Sequence, residues 1–138
     1  MNRKKSNRAG KPVGRVVPRL IRIYIDGSGA RPDGMGSGFA WFREDTKSKH
    51  VERCDRLTNN QAEYRAFIAA LESASKGAQI EILTDSQVVA YQFNGAYKVK
   101  DPSLETLLSK VHDLIRKNSL TVTIKWIRRE QNPAGKLI

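Results

Sequence analysis

Cysteine is almost absent, Cys54 being the only one in 138 residues, so no internal disulfide can staple the fold. With His50 and His112 as the only histidines, there is also no Cys/His cluster spaced for zinc. A reducing, cytoplasmic setting is the expectation. No apolar run approaches the roughly 18 residues of a membrane span, and partnership with a membrane is not expected. No uninterrupted apolar stretch follows the N-terminal cations, as a secretory signal requires, and the glycines and prolines there oppose a transit-peptide helix. Acids are scarce too: 14 stand against 25 Lys and Arg, giving a net charge of +11. A chain so charged is drawn to polyanions, which makes nucleic acid the first partner to consider.

What is present fits one domain, since 39% of the residues are hydrophobic, enough for a single core in a chain of this length. The charge is uneven. Arg3, Lys4, Lys5, Arg8, Lys11, Arg15 and Arg19 precede the first strand-like segment with no acid among them, and setting these seven aside brings +11 down to +4. With Gly10, Pro12, Gly14 and Pro18 among them, residues 1–19 read as a disordered basic arm ahead of a domain over 20–138.

Hydrophobic periodicity supplies the elements. Ile21, Ile23 and Ile25 alternate with Arg22 and Tyr24 as in a half-buried strand, ending at Asp26-Gly27-Ser28-Gly29. Two further strands are expected over 39–42 and 50–53, with short links that imply antiparallel pairing. Tyr64, Phe67, Ile68 and Leu71 then mark an amphipathic helix over about 60–76, stopped by Gly77. A buried strand over 80–84 leads to a helix opening at Asp85-Ser86, and Asp101-Pro102 caps a third helix bearing Leu104, Leu107, Leu108, Val111, Leu114 and Ile115. Leu120, Val122, Ile124 and Trp126 alternate as a last strand. The order βββαβααβ predicts an α/β fold with a five-stranded mixed sheet, three antiparallel strands followed by parallel ones, flanked by helices.

Three carboxylates fall at notable places: Asp26 at the end of the first strand, Glu63 in the first turn of the first helix, and Asp85 at the end of the fourth strand. Convergence would make them repel unless a cation compensates, and such oxygen donors suit magnesium. Each also has an ordinary explanation. Asp26 beside Gly27 fits a turn, Asn60-x-x-Glu63 fits a capping box, and Asp85 fits a helix cap.

The segments around these acids, Tyr24-Ile25-Asp26-Gly27-Ser28, Leu57-Thr58-Asn59-Asn60-Gln61-Ala62-Glu63 and Leu83-Thr84-Asp85-Ser86, resemble the three acidic motifs of type 1 ribonuclease H, in the same order and on matching elements. The resemblance covers about 20–134. It implies the ribonuclease H-like fold and an endonuclease that hydrolyses the RNA strand of RNA/DNA hybrids, leaving 3′-hydroxyl and 5′-phosphate ends. It further implies two divalent ions, Mg2+ or Mn2+, on Asp26, Glu63 and Asp85, and action as a monomer. By the same likeness Gly27 and Ser28 lie against the RNA, Asn59, Asn60 and Gln61 meet minor-groove edges, and Thr58 holds a DNA phosphate. The stretch 94–102 looks like the compact archaeal and bacterial subgroup that lacks the basic protrusion, and the N-terminal arm is expected to replace it in part.

The C-terminal stretch departs from the family. Relatives carry a fourth acid after Asn and Ala, whereas this chain reads Arg128-Arg129-Glu130-Gln131-Asn132-Pro133-Ala134-Gly135-Lys136, which brings Gly135 or Lys136 to that place. The amide oxygen of Asn132 is the expected substitute ligand, Glu130 the competing one, and activity with more metal, or with manganese, is expected. Arg129 matches a cation near the leaving group. His50 and His112 are expected to be structural. The rival readings are a catalytically weakened nucleic-acid-binding module of the same fold and a basic RNA-packaging protein.

Overall fold

The computed structural model describes residues 19–138; the expected N-terminal arm lies almost wholly outside them. The chain runs β1 (Leu20–Ser28), β2 (Gly38–Arg43), β3 (Lys49–Arg53), α1 (Asn59–Glu72), β4 (Gln79–Thr84), α2 (Gln87–Phe93), α3 (Pro102–Lys117) and β5 (Thr121–Trp126), then the 3-10 turns Arg129–Gln131 and Pro133–Lys136. The expected order holds. One sheet forms, with strand order β3-β2-β1-β4-β5. β1 pairs antiparallel with β2 and parallel with β4, and β4 pairs parallel with β5.

The alternating isoleucines put β1 at the centre, with Ile23 and Ile25 fully buried beneath α1 residues Tyr64, Phe67 and Leu71. Each such aliphatic side chain contributes about 1.5–3 kcal/mol on burial, so this ridge fixes α1 across β1. α1 starts where Thr58 accepts from Gln61 N at 3.1 Å while Thr58 N donates to Gln61 Oε1 at 2.9 Å. It ends at Glu72, four residues short of the expected end, because Ser73 caps it. α3 starts as expected, from Asp101 with Pro102 at the first position. Of its apolar stripe only Leu104 and Val111 are buried; the rest is half-covered against α1 and its neighbours. β3 is the opposite case, an edge strand whose five residues are all exposed.

Two features place the site. β1 continues three residues beyond Ile25 instead of turning at Asp26. In the parallel register Ile25 pairs with Thr84, so Asp26 and Asp85 both follow that pair on neighbouring strands.

Candidate metal centre and active site

The three ordinary explanations for the acids all fail. Asp26 lies within β1 rather than in a turn. The capping box belongs to Thr58 and Gln61, and Glu63 sits in the second turn of α1, not the first. α2 is capped by the Ser86 hydroxyl, which accepts from Val89 N at 3.2 Å, and not by Asp85. None of the three acids has a local structural task, yet each offers a carboxylate oxygen within 4.8 Å of the others.

Contacts beneath them explain how they meet. Gly27 passes so close to α1 that an added Cβ would stand 2.3 Å from Ala62 C and 2.4 Å from Glu63 N. That approach lets Gly27 N donate to Glu63 Oε2 at 2.9 Å. Thr84, fully buried, donates to Glu63 Oε1 at 3.3 Å and accepts from Ser86 N at 3.0 Å. Glu63 is therefore held from β1 and β4 together. Asp85 is fixed from β5 and beyond: Trp126 Nε1 donates to its carbonyl at 3.2 Å, and Asn132 Nδ2 to its Oδ2 at 3.2 Å.

Electrostatics makes the cluster costly on its own. Two carboxylate charges within 4.8 Å repel by roughly 3 kcal/mol at an effective dielectric of about 20, more than a typical hydrogen bond returns. Burial, then contact with Asp26, pushes Glu63 well above the usual carboxylate range. Burial and the charge of Asp26 also raise Asp85, against the hydrogen bond from Asn132 and the charge of Arg129. Among the described residues, no Lys or Arg forms an ion pair with Asp26, Glu63 or Asp85. Three convergent, unneutralised carboxylates fit a hard divalent cation by donor chemistry.

The acids face an open cavity of about 550 Å³ whose walls include Gly27, Ser28, Asn59, Asn60, Arg129, Asn132, Gly135 and Lys136. Most of the expected site residues thus converge. Asn59 also accepts from Gly29 N at 2.6 Å, tying α1 to the end of β1. Thr58 stands at the N-cap, and Gln61 differs from its expected role. Its Oε1 closes the capping box and its Nε2 donates to Ser103 Oγ at 3.1 Å, so both polar ends are engaged within the protein.

The expected ligand role of Asn132 needs correction. The side chain is 1% exposed, and its Nδ2 donates to Ile25 O at 2.8 Å as well as to Asp85. Its Oδ1 accepts from Ala134 N at 3.1 Å. A carbonyl on one side and an N–H on the other fix the orientation, since a flipped amide would oppose oxygen to oxygen. The nitrogen faces the carboxylates, and the oxygen is turned away. Glu130 is outside the cavity's walls. Thr84 and Trp126 were missed as supporting residues; their only signal was adjacency, Thr84 next to Asp85 and Trp126 at the end of the strand beside it.

A family model described as RNase H matches residues 18–132. Ribonuclease HI of Halobacterium salinarum is 45% identical over 100 residues, covering 69% of this chain and 50% of that protein. The protein YpeP of Bacillus subtilis, uncharacterized, is 32% identical over 124 residues, covering 83% and 55%. The chain thus spans about half the length of these curated relatives. Two solved structures agree over nearly their full length. The complex of LC11-RNase H1 with an RNA/DNA hybrid superposes with TM-score 0.76 at 32% identity, covering 85% of this chain and 92% of that one. RNase H1 of Halobacterium salinarum gives 0.74 at 28%, covering 86% and 93%.

A mixed five-stranded sheet with three acids gathered at the ends of β1 and β4 and on α1 therefore places the chain in the RNase H family. Within that family it is a type 1 member of the compact kind, α3 following α2 with no further helix between them.

Proposed function

We propose that this protein is an endoribonuclease that hydrolyses the RNA strand of RNA/DNA hybrids with the help of Mg2+ or Mn2+, two ions acting during turnover, and leaves 3′-hydroxyl and 5′-phosphate ends. The observation that carries this reading is the convergence of Asp26, Glu63 and Asp85 within 4.8 Å at an open cavity. Family membership and a hybrid-bound structural relative support it.

Bound divalent ions would supply a water acidic enough to attack at neutral pH and would stabilise charge on the leaving oxygen. The chain's residues do the rest. Asp26, Glu63 and Asp85 are the ligands, and Gly27 and Thr84 keep the Glu63 carboxylate aimed by their two hydrogen bonds. Gly27, Ser28, Asn59 and Asn60 form the wall on which the RNA backbone rests. Arg129, whose charge opposes the rise in the Asp85 pKa, assists the charged leaving group. Asn132 positions Asp85 and does not itself bind metal. The arm ahead of Leu20 adds a sequence-independent grip on phosphates.

A binding module without catalysis is the second reading, favoured by the missing fourth acid. Unneutralised carboxylates facing phosphates weaken pure binding, which speaks against it. A labelled hybrid incubated with Mg2+ or Mn2+ separates the two. Cleavage of the RNA strand is expected, and Asp85→Asn should slow it on the order of 10²–10³-fold. Equal cleavage by wild type and variant overturns the nuclease assignment.

A further inference from the structure

The face of the sheet turned away from α1 is unevenly covered. Ile23 and Ile25 pack beneath α1, so Leu20, Arg22 and Tyr24 lie on the other side by alternation. There Tyr24 stands opposite Phe42 of β2, with ring centroids 6.4 Å apart. The turn Pro133–Lys136 covers the Asp26 end of this face, Gly135 lying against Asp26. Towards the start of β1 the cover gives out: Leu20 is 41% exposed, and Tyr24 and Phe42 are half-buried.

The chain itself holds a segment suited to that gap. Residues 1–11 carry five of the seven N-terminal cations and only Met1 and Ala9 as apolar residues, whereas residues 12–18 contain Pro12, Val13, Val16, Val17 and Pro18 with the single cation Arg15. The two halves of the arm are thus different in kind. Arg19 NH1 lies 3.7 Å from Asp45 Oδ2, which directs the chain ahead of Leu20 towards the turn after β2, at the border of this face. Proline at 18 has no N–H for a ladder and suits a reversal. Length fits as well: at about 3.3 Å per extended residue, the four steps from Val17 back to Val13 match the four from Leu20 to Tyr24. We propose that residues 12–18 double back at Pro18-Arg19 and lie across Leu20, Tyr24 and Phe42 as a strap on the sheet, leaving residues 1–11 alone to reach phosphates. The strap does not depend on the nuclease reading, because it concerns the closure of the fold and not the acids.

Urea unfolding of the full chain, of a chain lacking residues 1–11 and of one lacking residues 1–18 tests the idea, together with hybrid binding in EDTA across a range of salt. Loss of 1–11 should leave the urea midpoint unchanged and flatten the salt dependence. Loss of 1–18 should raise the unfolding constant about 10- to 100-fold, the effect of uncovering one or two aliphatic side chains, with no further change in salt slope. The full-length triple variant Val13→Ser, Val16→Ser, Val17→Ser should lose the same stability while its salt slope stays that of wild type. Phe42→Ala should raise the unfolding constant at least about threefold more in the full chain than in the chain lacking 1–18, since the two changes then remove one shared contact. Equal urea midpoints for the two truncated chains, or an equal cost of Phe42→Ala in both backgrounds, overturns the proposal. A further fall in salt slope on removing 12–18 also overturns it, because that segment would then lie on the nucleic acid. So does a dimer of the full chain that Phe42→Ala dissociates, which would make a second copy the occupant of the face.

Discussion

Asn132 donates through Nδ2 to Asp85 Oδ2 at 3.2 Å while the same nitrogen donates to Ile25 O at 2.8 Å. One buried amide thus spans the last core residue of β1 and the acid that follows β4, holding the two strand ends in fixed relation. Sequence spacing suggests that Asn132→Asp would keep or raise activity by restoring a missing acid. The geometry adds a cost to folding in the metal-free protein, because the Ile25 carbonyl loses its donor and a new charge is buried beside Asp85. Asn132→Asp should therefore be less stable than wild type in EDTA, by about 2–4 kcal/mol. Chemical denaturation with and without Mn2+ checks this, and added metal should restore part of the loss. Asn132→Ala should weaken activity about 10- to 100-fold by releasing Asp85.

Gly27 offers a second test. Its backbone conformation is ordinary, but a methyl group there would meet α1 backbone at 2.3 Å and 2.4 Å, and backbone cannot swing aside as a side-chain tip can. Gly27→Ala should cost about 3 kcal/mol in thermal or denaturant unfolding and should reduce cleavage further by displacing Glu63.

Stability of the metal-free protein should fall as pH rises. Glu63 and Asp85 both have folded pKa values above their ordinary ones, 4.5 and 3.8, so the folded state holds their protons more tightly than the unfolded chain does. The benefit is fully present below those ordinary values and is lost as pH climbs through the raised ones. Melting temperatures in EDTA should accordingly drop from about pH 5 towards neutrality relative to an Asp85→Asn, Glu63→Gln double variant. Saturating Mg2+ or Mn2+ should reverse the trend, because ligation requires the deprotonated acids.

Removing residues 1–19 takes away seven of the chain's cations. Hybrid binding should weaken, and the slope of log affinity against log salt should become shallower by up to about 0.9 for each phosphate that the arm no longer neutralises. Titrations from low to moderate salt measure this directly, and an identical slope would show that the arm does not touch the duplex.

Strands and helices were legible because their apolar periods are clear: the isoleucines of β1 and the stripe of α3 each allow one reading. Asp26, Glu63 and Asp85 were legible as a group only through the residues around them, since each had a credible capping or turn role. That the roles fell to Thr58, Gln61 and Ser86 instead depends on one- and two-residue offsets, which boundaries read from periodicity do not resolve. Asn132 shows a different limit. Its position in the cavity followed from the motif, but which end of the amide faces the acids depends on Ile25 and Ala134, partners 107 and 2 residues away. Gln61 likewise turned inward because Ser103, 42 residues on, comes within reach.

β3 carries Lys49, His50, Glu52 and Arg53 among its five exposed residues and, among the described residues, forms one border of the sheet. A strand from another molecule seeking to extend the sheet there would have to strip water from this row of ionic groups. The border consequently resists fibrillar growth by edge-to-edge addition of strands.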